Sequence, residues 1–183
     1  MTETPESFQD LIIRAQSGDK DAFALIYETH LTPLYRYIYM RLGNREEAED
    51  IAQETFLKAY QALDRFEVTR DNFLPYLFTV ARNLLINRSK KKRPDIMPAF
   101  ELDREPGGDE KTSTFAEQRE LGETLRDALD TLSDTEREII ELRFFAERTY
   151  AEIAITCDKR EDAVRQHVAR GLKKMRIVMA QFE

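Results

Sequence analysis

An acidic segment rich in proline and glycine divides the chain in two and constrains its fold more than any other feature. The segment RPDIMPAFELDREPGGDEKTST, residues 93–114, holds three of the six prolines and an adjacent pair of glycines. It has no sustained apolar period, so it offers no face to a core. We therefore predict a flexible linker over 94–116 that joins a domain at 1–93 to a second domain at 117–183. A long surface loop within one domain is the alternative.

The excess of negative charge is concentrated in the same region. Residues 94–132 hold 4 Lys/Arg against 11 Asp/Glu, which accounts for the whole formal net charge of −7. The flanking parts are balanced overall, yet they contain the basic clusters 88–93 and 159–176. Because charges act on DNA phosphates within roughly 8–10 Å, local clusters decide nucleic-acid binding. The acidic total therefore does not exclude DNA as a partner.

Both flanking parts have the apolar spacing of helices and no strand-like alternation, so we predict an all-α fold of two small helical domains. In the first part, Asn44 is positioned to cap a helix whose inward stripe includes Ala48, Ile51 and Phe56. Pro33 lies within an earlier helical pattern and predicts a kink or a junction there.

The second part contains three helix-start signals within about 28 residues, a spacing that predicts short helices and tight turns. They are Ser133 with Glu136, Thr149 with Glu152, and Asp158 with Glu161. A short helix, a tight turn and a longer basic helix form the plan of a helix-turn-helix. We expect the last helix to bury Val164, Val168, Leu172 and Met175, and to expose Arg165, Gln166 and Arg170. Arginine and glutamine can bind base edges, although an ordinary solvated helix face is the alternative.

Composition lowers the expectation of catalysis. Two histidines and one cysteine are too few for a zinc site, and no glycine-rich phosphate loop is present. We expect no cofactor, no metal, no small-molecule substrate and no enzymatic activity. The chain has no apolar run long enough for a membrane span, and its single cysteine, Cys157, suits a reducing cytoplasm. We expect Cys157 to pack beneath the turn.

Two pairs of segments resemble a known family. LSDTEREIIELRFFAERTYAEIAI followed by DAVRQHVARGLKKMR resembles the C-terminal promoter-binding domain of bacterial sigma factors, closest to the extracytoplasmic-function group. AEDIAQETFLKAYQALDRF and FLPYLFTVARNLLINRSKKKR resemble the N-terminal domain of the same group. The resemblance implies a factor that binds core RNA polymerase, recognises the −10 and −35 promoter elements and helps to melt DNA. An anti-sigma factor is a further implied partner.

The resemblance also implies roles for individual residues. Polymerase contacts would come from Asp50, Gln53 and Glu54. Contacts to the −10 element would come from Lys58, Tyr60, Arg65, Phe66, Thr69, Arg70, Asp71, Asn72, Tyr76, Arg82, Asn83, Asn87, Arg88 and Lys91. Contacts to the −35 element would come from Thr149, Lys159, Arg160, Arg165, Gln166, His167, Arg170 and Lys173.

Several of these positions depart from the family pattern. Tyr76 stands where tryptophan is usual, Asp158 where glycine is common, and Gln166-His167 where Ser-Arg is frequent. In the family, the loop at 67–72 captures a flipped −10 base. A stand-alone helix-turn-helix regulator that binds an operator without opening it is the alternative function.

Overall fold

The computed structural model describes residues 7–67, 73–89, 122 and 124–180, and within these ranges the regular structure is helical, without a strand. The first half contains α1 (Phe8–Gln16), α2 (Lys20–Leu42), α3 (Arg45–Ala62), a 3₁₀ turn (Leu63–Arg65) and α4 (Phe73–Ser89). The second half contains α5 (residues 124–130), α6 (Asp134–Phe144), α7 (Tyr150–Thr156) and α8 (Glu161–Met179). The all-α prediction is confirmed, whereas the predicted linker at 94–116 lies outside the described residues.

Side-chain caps explain where most of these helices begin. The Asn44 side chain accepts a hydrogen bond from the Glu47 amide at 2.9 Å and starts α3, as predicted. Complete capping boxes start α6 at Ser133 and α7 at Thr149, also as predicted. The third predicted capping box is wrong. Asp158 adopts a left-handed conformation (φ 52°) in the turn, and Arg160 takes the N-cap of α8 without a side-chain cap.

The long α2 helix continues through Pro33 rather than dividing there. Of the two alternatives predicted at this proline, a kink or a junction, the junction is therefore wrong. Helix α2 ends instead at Gly43, whose φ of 64° lies in the left-handed region that glycine adopts without steric cost. The Gly43 N–H donates to the Tyr39 carbonyl at 2.8 Å, and α3 begins two residues later. Gly43 therefore ends α2 and lets α3 begin two residues later.

Helix α8 packs against α6 through a buried stripe that includes Val164, Val168 and Met175, as predicted. Leu172 does not belong to this stripe, since it is 38% exposed. Gly171 is buried in its place, and a Cβ there would lie 3.1 Å from Cγ1 of Ile140. The close approach of α8 to α6 therefore depends on the absence of a side chain at this position.

The two halves of the chain pack directly on each other. Helix α4 contacts α7, and α2 contacts α6. At the first contact, the guanidinium of Arg148 lies 5.1 Å from the centroid of the buried Phe78 ring. This contact could not be predicted from the sequence, because the linker leaves the relative position of the two halves open.

Candidate nucleic-acid interface

Helices α7 and α8 form the predicted helix-turn-helix. The turn between them spans residues 157–160, and Cys157 is buried there, which raises the pKa of its thiol to about 12. The outward face of α8 exposes Arg165, Gln166 and Arg170, as predicted. Because the opposite side of α8 is fixed in the core, these three side chains project from a rigid helix. Such a helix can enter a DNA major groove and present donors to base edges.

Arg165 is held by two neighbours on the protein surface. Its Nη2 atom donates to Oε1 of Glu161 at 2.5 Å, one turn earlier on α8. Its guanidinium also lies over the Tyr150 ring, 4.4 Å from the centroid. A second guanidinium, that of Arg143, lies 5.1 Å from the same ring. Tyr150 therefore supports Arg165 through a cation–π contact between α7 and α8.

His167 differs from its exposed neighbours because it is only partly accessible. Burial first, and then the positive charges of Arg170 and Lys159, lower the pKa of its imidazole. Nη2 of Arg170 lies 3.3 Å from Nδ1 of His167. These influences favour the neutral imidazole. Because a guanidinium can only donate, Nδ1 accepts the hydrogen bond from Arg170, and the proton lies on Nε2, which can donate to a partner.

The remaining residues predicted to bind the −35 element surround this helix. Lys159, Arg160 and Lys173 are exposed, as phosphate contacts require. Arg160 lies 3.7 Å from a carboxylate oxygen of Asp162. The Thr149 hydroxyl is part of the capping box and donates to Glu152 at 2.8 Å. Thr149 therefore has a structural role besides the predicted one.

The residues predicted to bind polymerase lie on the open side of α3. Asp50, Gln53 and Glu54 are all exposed. Glu54 forms an exposed ion pair with Lys58 at 3.4 Å. Gln53 also lines a cavity of about 310 Å³ between α2 and α3, beside the Tyr27 ring. This side of α3 combines charged groups with a recess that can accept a side chain of a partner.

The aromatic residues predicted to contact unpaired bases lie at the end of α3 and the start of α4. Tyr60 is 43% exposed, with one edge packed on Phe23 at a centroid distance of 4.7 Å. Phe66 is half-buried, and its centroid lies 5.3 Å from those of Phe73 and Tyr76. The neighbouring Arg65 is exposed. The predicted base-capturing residues Thr69, Arg70, Asp71 and Asn72 lie outside the described residues, as does Lys91.

Helix α4 carries the four residues predicted to face the −10 duplex edge. Asn83 and Asn87 are exposed. Arg88 forms an ion pair with Glu47 of α3 at 3.0 Å. Arg82 donates through Nε to Oε1 of Glu138 at 2.7 Å, and Glu138 belongs to α6 in the other half of the chain. The two arginines are therefore paired within the protein, whereas the two asparagines face solvent.

The Arg82–Glu138 contact belongs to a charge network between the two halves that sequence analysis did not predict. Arg41 of α2 donates to the fully buried Glu141 at 2.5 Å and lies 3.8 Å from Glu138. Arg137 of α6 donates to the same Glu141 at 2.9 Å. We call Arg41, Arg82, Glu138 and Glu141 the interdomain charge cluster. The available signal was the position of these two glutamates beside the apolar residues Ile139, Ile140 and Leu142.

No group of three or more His, Cys, Asp and Glu side chains is arranged to hold a metal ion within the described ranges. Among the helices described, none has the length and apolar character needed to cross a membrane.

Both halves of the chain match known protein families. The Sigma-70 region 2 family matches residues 26–94, and the Sigma-70, region 4 family matches residues 128–176. The chain is 33% identical over 178 residues to the ECF RNA polymerase sigma factor SigW of Bacillus subtilis, covering 90% of this chain and 92% of that one. It is 32% identical over 175 residues to the ECF RNA polymerase sigma factor BldN of Streptomyces coelicolor, covering 91% of this chain and 63% of that one.

Solved structures share the fold. The structure of CnrH in complex with the cytosolic domain of CnrY matches with a TM-score of 0.74 at 20% identity, over 97% of this chain and 100% of that one. The sigma factor RpoE, in its co-crystal structure with the anti-sigma factor NepR from Bartonella quintana, matches with a TM-score of 0.67 at 22% identity. That match covers 88% of this chain and 98% of that one.

Proposed function

The chain belongs to the extracytoplasmic-function RNA polymerase sigma factors, and from this premise we propose how its surfaces divide the work of transcription initiation. Helix α3 binds core polymerase, α4 and the preceding aromatic residues bind the −10 element, and α8 reads the −35 element. The domain boundaries that we propose are 1–93, 94–116 and 117–183. The observation that carries this proposal is the exposure of Arg165, Gln166 and Arg170 on a helix whose other side is buried.

The α8 surface supports sequence recognition rather than general phosphate binding. Arg165 has a fixed position over Tyr150, so its donors are oriented before DNA arrives. The exposed Lys159, Arg160 and Lys173 flank it and supply phosphate contacts. Gln166 and the partly accessible His167 differ from the common family pair, and we assign to them this protein's own −35 preference.

The −10 surface combines exposed asparagines with accessible aromatic edges. Asn83 and Asn87 offer donors and acceptors on one side of α4. Tyr60 and the cluster of Phe66 with Tyr76 offer ring faces on which unpaired bases can stack. Lys58, Arg65 and Arg88 add positive charge near this surface. The loop residues Thr69, Arg70, Asp71 and Asn72 are our proposed readers of the flipped base, and Lys91 our proposed phosphate contact.

Polymerase binding is assigned to Asp50, Gln53 and Glu54 because they share one exposed side of α3. The cavity beside Gln53 offers a place for a partner's side chain. We further propose that the protein acts without enzymatic activity, in the cytoplasm where polymerase and DNA meet. An anti-sigma factor is a proposed partner, because RpoE is solved in complex with NepR.

Run-off transcription with purified core polymerase tests the function directly. We expect transcripts from promoters of the source genome when this protein is the sole sigma factor. Permanganate reactivity of thymines in the −10 region should report melting. If the protein neither supports a transcript nor co-purifies with core polymerase, the assignment fails. Binding of a closed duplex operator as a dimer, without polymerase, would favour the stand-alone regulator.

A further inference from the structure

Helix α1 ends in a side chain that is hydrogen-bonded to the backbone of a distant turn. The Nε2 atom of Gln16 donates to the carbonyl oxygen of Leu63 at 2.9 Å and to that of Phe66 at 2.6 Å. A side-chain amide has two N–H groups, so both of its donors are used here. The two acceptors lie 47 and 50 residues further along the chain. Gln16 therefore caps a turn that belongs to another part of the fold.

The carbonyl groups that Gln16 binds lie where α3 ends. Helix α3 passes into the 3₁₀ turn Leu63–Arg65, and at Phe66 the backbone becomes extended, with φ −79° and ψ 119°. The last carbonyl groups of a helix have no partner within the helix. The Phe66 N–H donates to the Leu63 carbonyl at 3.0 Å, and the Gln16 amide joins both ends of the turn from outside. Gln16 thus fixes the direction in which the chain leaves α3.

Phe66 also belongs to the aromatic cluster to which our proposed function assigns stacking on unpaired bases. Its ring centroid lies 5.3 Å from those of Phe73 and Tyr76. The orientation of a side chain depends on the backbone dihedral angles of its residue, and Gln16 holds that backbone. The inference that follows rests on the role assigned to this cluster.

Helix α1 contacts the aromatic cluster at its other end as well. The centroid of the Phe8 ring lies 6.0 Å from that of Phe73. Phe8 is the first residue of α1 and Gln16 the last, so about 12 Å of helix separates them. Ile12 and Ala15 are buried and hold α1 in the core between these two points. A single short helix thus supports both Phe66 and Phe73.

We propose that Gln16 is a positioning residue for −10 recognition, which holds the Phe66 backbone so that the aromatic cluster is formed before the DNA strands separate. A preformed surface binds more tightly, because its backbone need not be ordered when the ligand arrives. Gln16 is partly buried, and protein carbonyl groups occupy both of its N–H groups. It therefore acts through Phe66 rather than by contact with DNA.

The variant Gln16→Met tests this role in holoenzyme assembled with core polymerase, on a promoter found by the run-off assay. Methionine has a similar length but no donor, so both carbonyl groups lose their partner. We expect the equilibrium constant for promoter melting, measured by permanganate reactivity of −10 thymines, to fall about tenfold, since each lost hydrogen bond is worth about two- to tenfold. Affinity for a duplex with the −35 element alone, measured by fluorescence anisotropy, should stay unchanged.

Gln61→Met is the matched control. Gln61 is exposed on α3, two residues before the 3₁₀ turn, so the same chemical change there should leave melting at the wild-type level. Gln16→Lys returns N–H donors to the position and should recover melting, whereas Gln61→Lys controls for the added positive charge. Gln16→Glu also lacks a donor at pH 7, and it replaces Gln16→Met in the test if the latter loses helicity by circular dichroism.

A Phe66→Ala background separates positioning from other roles. If Gln16 acts through Phe66, Gln16→Met should cause no further loss of melting in that background. An equal loss in both backgrounds overturns the inference, and so does wild-type melting by Gln16→Met or a matching loss of −35 affinity.

Failure of the inference and failure of the proposed function are distinguishable. If the wild-type holoenzyme melts the promoter and Phe66→Ala melts it equally well, the role of the aromatic cluster falls, and the inference falls with it. If the wild-type holoenzyme melts no promoter, the proposed function itself fails. If only Gln16→Met and Gln16→Glu melt poorly, both the inference and the function are supported.

Discussion

Arg41 and Glu141 are one hundred residues apart in the chain, and their side chains are joined by a hydrogen bond of 2.5 Å. Glu141 is fully buried, and Arg137 donates to its second oxygen at 2.9 Å. A carboxylate in such a place needs both partners, since an unpaired buried charge costs several kcal/mol. The position of α6 on α2 is therefore specified by charge as well as by shape.

Replacing the Arg41–Glu141 pair should separate the free-energy cost of burying its two charges from the free energy gained by their attraction. We expect Glu141→Leu alone to lower the free energy of unfolding by about 3 kcal/mol, because Arg41 would stay buried without its partner. The double variant Arg41→Met/Glu141→Leu should recover most of this loss, since apolar groups of similar size need no compensation. Urea titration measures both. A double variant less stable than the single one would contradict the pairing.

Gly171→Ala should destabilise the second half even though alanine favours helices. The new Cβ would lie 3.1 Å and 3.3 Å from two atoms of the buried Ile140 side chain. We expect the overlap to outweigh the helix propensity gain and cost about 1 kcal/mol net. In an Ile140→Ala background, which lacks both Cγ1 and Cδ1, the same change at Gly171 should no longer cost stability in a urea titration. An equal cost in both backgrounds would show that another contact limits α8.

Acid should weaken the contact between α6 and α8. The hydrogen bond from Lys174, at 2.7 Å, and those involving Ser133 lower the pKa of Glu136 from its usual 4.5 to about 2. Because the folded-state pKa lies below the unfolded one, this stability is fully present above about pH 4.5 and is lost as the pH falls toward 2. Lys174 is 46% exposed, so solvent reduces the contribution to about 1 kcal/mol.

Lys174→Met should therefore lower stability at pH 7 by about 1 kcal/mol and flatten the pH dependence below 4.5. Urea titrations from pH 2 to 7 measure both effects. The adjacent exposed Lys173→Met removes the same charge without touching Glu136 and should retain the full pH dependence. Identical acid profiles for the two variants would be evidence against the Glu136–Lys174 pair.

Tyr150→Ala should weaken discrimination between matched and mismatched −35 elements. The ring supports Arg165 at 4.4 Å, and an exposed cation–π contact is worth about 0.5–1 kcal/mol, or two- to fivefold in affinity. Tyr150→Phe keeps the ring and should keep the discrimination. The measurement is binding of matched and mismatched promoters by holoenzyme. Equal discrimination by Tyr150→Ala and the wild-type protein would show that Arg165 needs no support.

Asp158→Gly should leave the turn between α7 and α8 intact and raise stability by up to about 1 kcal/mol, because glycine adopts the left-handed conformation without strain. The φ of 52° at Asp158 is the basis for this expectation. Asp158→Val should instead lower stability by at least as much, since a β-branched residue is strained there. Thermal unfolding of the two variants provides the comparison. Equal stabilities would mean that the turn relaxes to another conformation.

Local chemistry made much of the fold predictable. The capping boxes at Ser133 and Thr149 are short-range patterns whose partners lie three residues away, and both are present. The exposed face of α8 followed from the helical period. The third capping box failed because Asp158 takes a left-handed backbone in the turn and α8 begins only at Glu161, so that Arg160 rather than Asp158 is the N-cap residue. The predicted burial of Leu172 is wrong because α8 and α6 approach so closely that Gly171 occupies the contact.

The interdomain charge cluster could not be predicted by the same means. To pair Arg41 with Glu141, one must know how α2 and α6 are placed relative to each other. The predicted linker between them has no apolar period from which this placement could be inferred. Glu138 and Glu141 lie beside Ile139, Ile140 and Leu142 in the sequence, yet a glutamate in such a place identifies no particular partner. Only the three-dimensional arrangement of α2, α4 and α6 brings the charges together.

The burial of Cys157 has a practical consequence. It is the single cysteine of the chain, and Glu138, Arg82 and Arg41 all act electrostatically on its thiol. With a pKa raised to about 12, the thiol is almost entirely protonated at neutral pH, so alkylating reagents attack it slowly. The rate at which a maleimide labels Cys157 therefore reports how often the helices around the interdomain charge cluster come apart.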